Sequence, residues 1–298
     1  MPLTELTTAD LLRDLEPVAA AQLERHLGLA QEWMPHDYVP WDRGRDFTVA
    51  PWTPADSDLS RTARIALEVN LLTEDNLPSY HREIAAAFGQ DSAWGTWVHR
   101  WTAEESRHSL AIRDYLMVTR GVDPDALERA RIRQLERGFD AGSRSALQVL
   151  AYVAFQELAT RISHRNTANV IDDPAGQKLL ARVAADENLH MVFYRDLVSA
   201  ALELAPAPTM RAIADEVIGF QMPGAGIEDF GRKAALIARA GIYDLRIHHD
   251  QVLLPHLRTW RFFEREGNEQ AQIEVRAFLD QLDAAARAHE DRAQAATG

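Results

Sequence analysis

Apolar side chains recur every third or fourth position through most of the chain, and the strict alternation of a half-buried strand is nearly absent. Pro and Gly clusters interrupt this rhythm: "MPHDYVPWDRGRDFTVAPWTPADSD" at 34–58, "GVDPD" at 121–125, "APAPT" at 205–209 and "MPGAG" at 222–226. The intervals predict helices near 60–88, 92–119, 125–138, 145–168, 175–203, 209–220, 232–262 and 268–290. Residues 1–15 and the Ala-rich end, 286–298, are expected to be loosely ordered. No linker is long or biased enough to divide the chain. The pattern therefore predicts one all-α domain over 1–298, built around a helix bundle with additional flanking helices.

Two of the apolar stripes contain residues that do not belong there. One runs Trp94, Trp97, Trp101, Glu105, His108, Ile112, Tyr115; the other runs Leu180, Val183, Glu187, His190, Tyr194, Leu197. These are the chain's two Glu-x-x-His sequences, where chance among 21 Glu and 11 His supplies roughly one. Side chains at i and i+3 project side by side, as two ligands of one metal would. An unpaired buried carboxylate costs several kcal/mol, so something cationic must face it. Two further stripes carry one inward acid each: Leu67, Leu71, Glu74, Pro78, and Leu147, Leu150, Ala154, Glu157, Arg161.

The spacing repeats. Glu74 precedes Glu105 by 31 positions and Glu157 precedes Glu187 by 30, so each half reads Glu, about thirty residues, Glu-x-x-His. In an antiparallel hairpin that separation lets both ligand groups sit at about the same height. Four Glu and two His in one bundle core are the ligand set of ferritin-like di-iron and di-manganese carboxylate proteins. Carboxylates with imidazole suit Fe, with Mn possible. Pro78, four residues after Glu74, either kinks that helix at the ligand or occupies a first or last turn.

Composition narrows the alternatives. The net charge of −13 argues against nucleic acid as a partner, because phosphate binding needs a basic face. Cysteine is absent, which excludes disulfides, thiolate nucleophiles and Cys-based metal sites together. The opening "MPLTELTTADLLRDLEP" has acids where a secretory signal has a basic start and an apolar core. No apolar run approaches the roughly 20 residues of a transmembrane segment. A soluble, cytoplasmic protein is expected. "GAG" at 224–226 lacks a preceding strand, so no dinucleotide fingerprint is present.

The strings around these residues, "LTEDNLPSYH" (72–81), "WTAEESRHSL" (101–110), "FQELATRISHRNTA" (155–168) and "AADENLH" (184–190), resemble the soluble acyl-[acyl-carrier-protein] desaturases of plants and actinobacteria. Weaker likeness in "EWMPHDYVPW" (32–41) and "GIYDLRIHHDQVL" (241–253) extends it over most of residues 16–290. The resemblance implies a ferritin-like di-iron enzyme. It implies that Glu74 and His108 cap one iron, that Glu157 and His190 cap the other, and that Glu105 and Glu187 bridge them. It also matches Thr160 to a hydroxyl beside the oxygen site, although a Thr there can equally bond back to its own helix. Asp186 and Trp33 match an acid and an aromatic that relay electrons toward the iron held by His108. Asn188 and Leu189 depart from the basic residues of plant relatives, and "HREIAAAFG" after Glu74 has its own character.

The implied reaction is O2-dependent insertion of a cis double bond into a saturated acyl chain on acyl carrier protein, as in fatty acid biosynthesis, by a homodimer. The electrons would come from a ferredoxin-like partner. Another oxygenase on the same scaffold, such as an N-oxygenase, and a non-catalytic metal- or acyl-ACP-binding homologue are the alternatives. Acyl carrier proteins are acidic, so a basic patch is expected: Arg232 and Lys233, or the stripe Arg129, Arg133, Arg137. The cluster His248, His249, Asp250, His256 reads as a polar helix face, with a separate metal site as the minor reading.

Overall fold

A computed structural model describes residues 7–295, with 141 and 222 excepted. It is helical throughout: α1 Thr8–Leu29, α2 Arg61–Glu74, α3 Leu77–Phe88, α4 Ser92–Val118, α5 Pro124–Arg137, α6 Ala146–Val170, α7 Pro174–Leu204, α8 Pro206–Gly219, α9 Phe230–Arg239, α10 Leu245–Ile247, α11 Leu254–Thr259 and α12 Glu269–Ala295. Helix starts follow local chemistry. Ser60, Asp123 and Asp173 accept hydrogen bonds from the first free amides of α2, α5 and α7, and Ser145 with Gln148 forms a reciprocal capping box on α6. Pro at the first or second position of α3, α5, α7 and α8 costs nothing, because those amides have no partner within the helix.

Four helices close a ring: α2 packs on α4, α4 on α7, α7 on α6 and α6 on α2. The α6–α7 pair is the most extensive contact in the molecule. Outside the ring, α1 covers α4 and α7, α3 lies on α4 and α6, α8 braces α6 and α7, and α5 and α9 flank α2. Trp97, Trp101, Tyr115, Phe155, Phe193 and Tyr194 are fully buried where the ring helices meet. Gly176 lets α7 approach α4 closely, since a Cβ there would sit 2.7 Å from the Tyr115 hydroxyl.

Four expectations change. Residues 8–15, expected to be loose, open α1, whose Leu11, Leu15, Ala19 and Leu23 bury one edge against the bundle. Pro17 inside that helix and the acids around it hide the stripe in the sequence. At the other end α12 runs as helix to Ala295, through most of the tail expected to be loose. The predicted helix 60–88 is two: α2 ends at Glu74, and Pro78 stands in the first turn of α3. The predicted helix 232–262 is broken by Gly241, at φ 69°, and by a wide turn of π-helix over His248–Leu253.

Asp173 does three jobs at once. It caps α7, accepts from the Tyr115 hydroxyl at 2.8 Å, and pairs with Arg43 at 2.8 Å. Asp173→Ala should lower unfolding stability by about 1–3 kcal/mol, the sum of a lost cap and a stranded buried hydroxyl. The denaturant midpoint measures it, and an unchanged midpoint would show that the α4–α7 contact does not depend on this residue.

Candidate metal centre

The ring brings all six predicted residues together. Glu105 and His108 come from the middle of α4, Glu157 from α6, Glu187 and His190 from α7, and Glu74 from the last residue of α2. All are buried. One ligand atom from each of Glu74, Glu105, His108 and Glu187 lies within 4.8 Å of the others, and the same holds for Glu105, Glu157, Glu187 and His190. The two groups share Glu105 and Glu187.

Both imidazoles present Nδ1 to the cluster. His108 Nδ1 lies 3.4 Å from Glu187, 3.6 Å from Glu105 and 3.7 Å from Glu74. His190 Nδ1 lies 2.8 Å from Glu105 and 3.6 Å from both Glu157 and Glu187. Yet His108 Nδ1, His190 Nδ1, Glu105 Oε1, Glu157 Oε2 and Glu187 Oε2 are buried without a hydrogen-bond partner. Buried polar atoms are rarely left so, and an ion completing them is the standing explanation. The donor set fits a pair of divalent cations.

Electrostatics points the same way. Burial, then the neighbouring Glu187, pushes the Glu157 carboxyl up to about 8, and burial raises Glu105. Burial also works on Glu74, but His108 and His164 outweigh it and hold that carboxyl well below the usual range. Surrounding carboxylates raise His108 and His190 well above an ordinary imidazole in spite of burial. So many acids in one dry space need positive charge, and these two imidazoles alone leave carboxylates uncompensated.

Behind the cluster the supports are crossed. His108 of α4 turns Nε2 to Asp186 of α7 at 3.5 Å, while His190 of α7 turns Nε2 to Glu104 of α4 at 2.9 Å. Each support is the residue just before a shared Glu. Trp33 donates from Nε1 to Asp186 at 2.7 Å, and its ring stacks 6.3 Å from His108 at 11°. Burial would raise the Asp186 carboxyl, but its bonds to His108 and Trp33 bring it down to about 2. Glu104 takes His26 Nε2 at 2.9 Å and Arg100 Nε at 2.7 Å. The two acids that belong to one group each are steadied too: His164 Nε2 meets Glu74 at 3.0 Å and Trp101 donates to Glu157 at 3.0 Å. Sequence reasoning missed Glu104, His26, His164 and Trp101 as supports. The signal for Glu104 was present, since "EESRH" and "DENLH" both place an acid before the Glu-x-x-His.

The remaining predicted residues are placed as follows. Thr160 is buried one turn after Glu157, and its hydroxyl donates to the Gln156 and Glu157 carbonyls at 3.1 Å, the back-bonding alternative. Arg232 is exposed on α9, whereas Lys233 is half-buried. The His248 cluster does not gather: His248 meets the Tyr243 hydroxyl at 2.8 Å and stacks on Phe220, His249 pairs with Asp250, and buried His256 donates to the Val252 carbonyl. The minor reading, a separate metal site, gains no support, since these residues form no ligand group among the described residues; the polar face is limited to His248, His249 and Asp250, because His256 is buried. A narrow cavity of about 20 Å³, lined by Tyr80, Ile84, Trp101, Phe139, Val153 and Gln156, abuts the centre through Trp101.

The family model for fatty acid desaturases matches residues 7–297, essentially the whole chain. The chain belongs to the fatty acid desaturase family. Among its relatives is the acyl-[acyl-carrier-protein] desaturase DesA1 of Mycobacterium tuberculosis, 50% identical over 88% of this chain and 81% of the relative. Rice chloroplastic acyl-[acyl-carrier-protein] desaturase 4 is 33% identical over 78% of this chain and 62% of its own length. The X-ray structure of M. tuberculosis DesA2 superposes with a TM-score of 0.74, at 32% identity, over 90% of this chain and 98% of that one. The resemblance and the helical, ferritin-like fold read from the sequence are both borne out. Among the described residues no helix is long and apolar enough to cross a membrane.

The shared position of Glu105 yields a direct expectation. Purified protein should bind close to two ions per chain, and Glu105→Ala should lose most of both, because it faces both groups; His108→Ala should lose mainly one. Metal analysis after reconstitution decides this, and full loading of both variants would remove these residues from the site.

Proposed function

We propose that the protein is an acyl-[acyl-carrier-protein] desaturase that inserts a cis double bond into a saturated acyl chain at a dinuclear iron centre. The observation that carries this reading is the pair of four-residue groups sharing Glu105 and Glu187. Glu74, His108, Glu157 and His190 would hold the two ions, the first pair one and the second pair the other, and Glu105 and Glu187, which face both groups, would serve both. When bound, the metal pair supplies the O2-dependent oxidising power that an unactivated methylene requires and no side-chain acid or base provides. Carboxylates with imidazoles favour iron, and manganese is the neighbouring possibility tested by the same metal analysis.

The chain's own residues do the rest. Asp186 and Glu104 hold the far nitrogens of the two imidazoles and so aim each Nδ1 inward. Trp101 and His164 fix one oxygen of each capping acid and leave the other for the ion. Beside Trp101, the side chains of Tyr80, Ile84, Phe139 and Val153 enclose a slot of only about 20 Å³, so they would have to part for an acyl chain to enter and would then keep water from it. Electrons arrive from a separate protein, along Trp33, Asp186 and His108.

Reduced, metal-loaded protein given a panel of saturated acyl-ACPs and O2 should yield a mono-unsaturated product, identified by mass spectrometry. Hydroxylated or N-oxygenated products in place of an olefin would defeat the reading. In the same assay Thr160→Val should lower olefin formed per O2 consumed while keeping both metals; unchanged coupling would confine Thr160 to its helix.

For the relay, Trp33→Leu and Asp186→Asn should slow reduction by a ferredoxin-type donor at least tenfold more than reduction by dithionite. Equal slowing with both reductants would mean that these residues only support His108.

A further inference from the structure

Buried Trp33 donates to Asp186 at 2.7 Å and stacks on His108, and a cation stands against the same ring. Arg107 Cζ lies 5.0 Å from the ring centre. Its Nη1 donates to the Trp33 carbonyl at 3.3 Å, and its Nη2 donates to Asp186 at 3.4 Å. The same Nη2 lies 3.7 Å from Glu104. One guanidinium therefore faces the indole, the acid behind His108 and the acid behind His190. Only 18% of its side chain is exposed, and its Nε is buried without a hydrogen-bond partner. Arg107 is placed for its position against the ring rather than for a full set of bonds.

The next ring outward repeats the arrangement. Half-buried Tyr38 meets Trp33 edge-on at 5.1 Å, and Nζ of exposed Lys178 stands 4.7 Å from the Tyr38 ring. Tyr38 and Trp33 thus form a short aromatic path inward to His108, each with a cation against it. A cation is attracted by the negative face of a neutral ring. It repels a ring that has lost an electron, because that ring is itself positive, and a mostly buried site screens the repulsion little. Asp186 acts in the opposite sense. A carboxylate on the indole N–H favours the positive ring, so the acid that ties Trp33 to His108 also makes Trp33 easier to oxidise. Arg182 pairs with the other oxygen of Asp186, whereas Arg107 sits against both ring and acid and offsets that charge where it matters.

We propose that Arg107, seconded by Lys178 at Tyr38, keeps this path reduced, so that it admits electrons to the metal pair and resists losing its own. Oxidising power sufficient for an unactivated methylene also suffices to take an electron from an indole stacked 6.3 Å from a ligand imidazole. In that side reaction the indole gives one electron to the oxidised metal pair and is left as a positively charged radical, its Nε1 proton still in place. Arg107 opposes this step. Inward transfer by tunnelling across the ring forms no such radical and is not opposed. Arg107 acts on the reaction only through Trp33 and is a positioning residue. The inference rests on the oxygen-dependent reading above, though not on Trp33 carrying the incoming electrons.

The test follows Trp33 itself. Iron-loaded wild type, Arg107→Gln and Arg107→Lys are reduced with dithionite and cycled with O2, with and without acyl-ACP, and the Trp33 peptide is analysed for added oxygen by mass spectrometry. Iron content, melting temperature and O2 consumed are measured for each. Both substitutions remove the planar guanidinium, but only Gln removes the charge. Per O2 consumed, Arg107→Gln should accumulate roughly tenfold or more oxygenated Trp33 than wild type, most of it without acyl-ACP, and Arg107→Lys should stay within about twofold of wild type. If Arg107→Gln loses iron, Lys178→Gln makes the same comparison at the Tyr38 peptide, where no rise would overturn the proposal. Equal oxidation in the Gln and Lys variants of Arg107 would mean that the side chain only shields the ring from solvent, and would overturn it. No rise in Arg107→Gln at wild-type O2 consumption would overturn it as well, while leaving the desaturase reading intact if wild type forms olefin. No O2 consumption by wild type would remove both readings together.

Discussion

Burying four carboxylates and two imidazoles in one dry space is the constraint on which the rest of this structure depends. A buried charge without a partner costs several kcal/mol, and here five ligand atoms face inward with no hydrogen bond. Nothing in the apolar surroundings can answer them. The closed ring of α2, α4, α6 and α7, and the aromatic packing around it, make sense as a frame that holds these atoms apart until cations join them. Stability and chemistry are coupled at the outset: the arrangement that would destabilise a bundle of protein alone is what gives the bundle its affinity for metal.

The supports show how the frame meets that demand. Glu104 of α4 holds His190 of α7, and Asp186 of α7 holds His108 of α4, so the two central helices are laced crosswise. Sliding one past the other by a turn, about 5.4 Å, would break both links at once. Beyond the lacing the two sides diverge, one toward the indole of Trp33 and the other toward the imidazole of His26. An indole can pass electrons and an imidazole can hold a hydrogen bond in either tautomer, so a symmetric core has two chemically different ways out.

Much of this was legible in the sequence, and the reasons differ by residue. Glu105, His108, Glu187 and His190 interrupt apolar stripes at a spacing that only a helix makes meaningful, and the thirty-residue repeat ties them to Glu74 and Glu157. Trp33 and Asp186 came from likeness to other desaturases, and the 2.7 Å bond between them is a long-range fact that no periodicity contains. His26 and His164 could not be found by pattern: each is one histidine on a mostly ordinary helix, and its partner stands 78 or 90 positions away. Helix α1 was missed because Pro17 and flanking acids mask a stripe that tertiary packing still buries. The basic patch was half seen. Arg133 and Lys233 looked like rivals because the sequence does not say that α5 and α9 flank the same helix, where both residues line one cavity.

The two halves of the chain repeat one another in letters but differ in build at one point. Glu157 stands in the middle of a 25-residue helix, with helical turns on both sides. Glu74 is the last residue of its helix, and the backbone leaves the helical path at Asp75 and Asn76 before Pro78 starts another. A donor at mid-helix is held by hydrogen bonds that run past it in both directions, whereas a donor at a helix end is held from one side only. The carboxylate of Glu74 therefore sits where α2 gives way to α3 through a two-residue turn whose Asp75 is pinned by Arg131, whereas its counterpart sits in unbroken helix. Duplicated sequence here yields two differently built mounts for the same kind of donor.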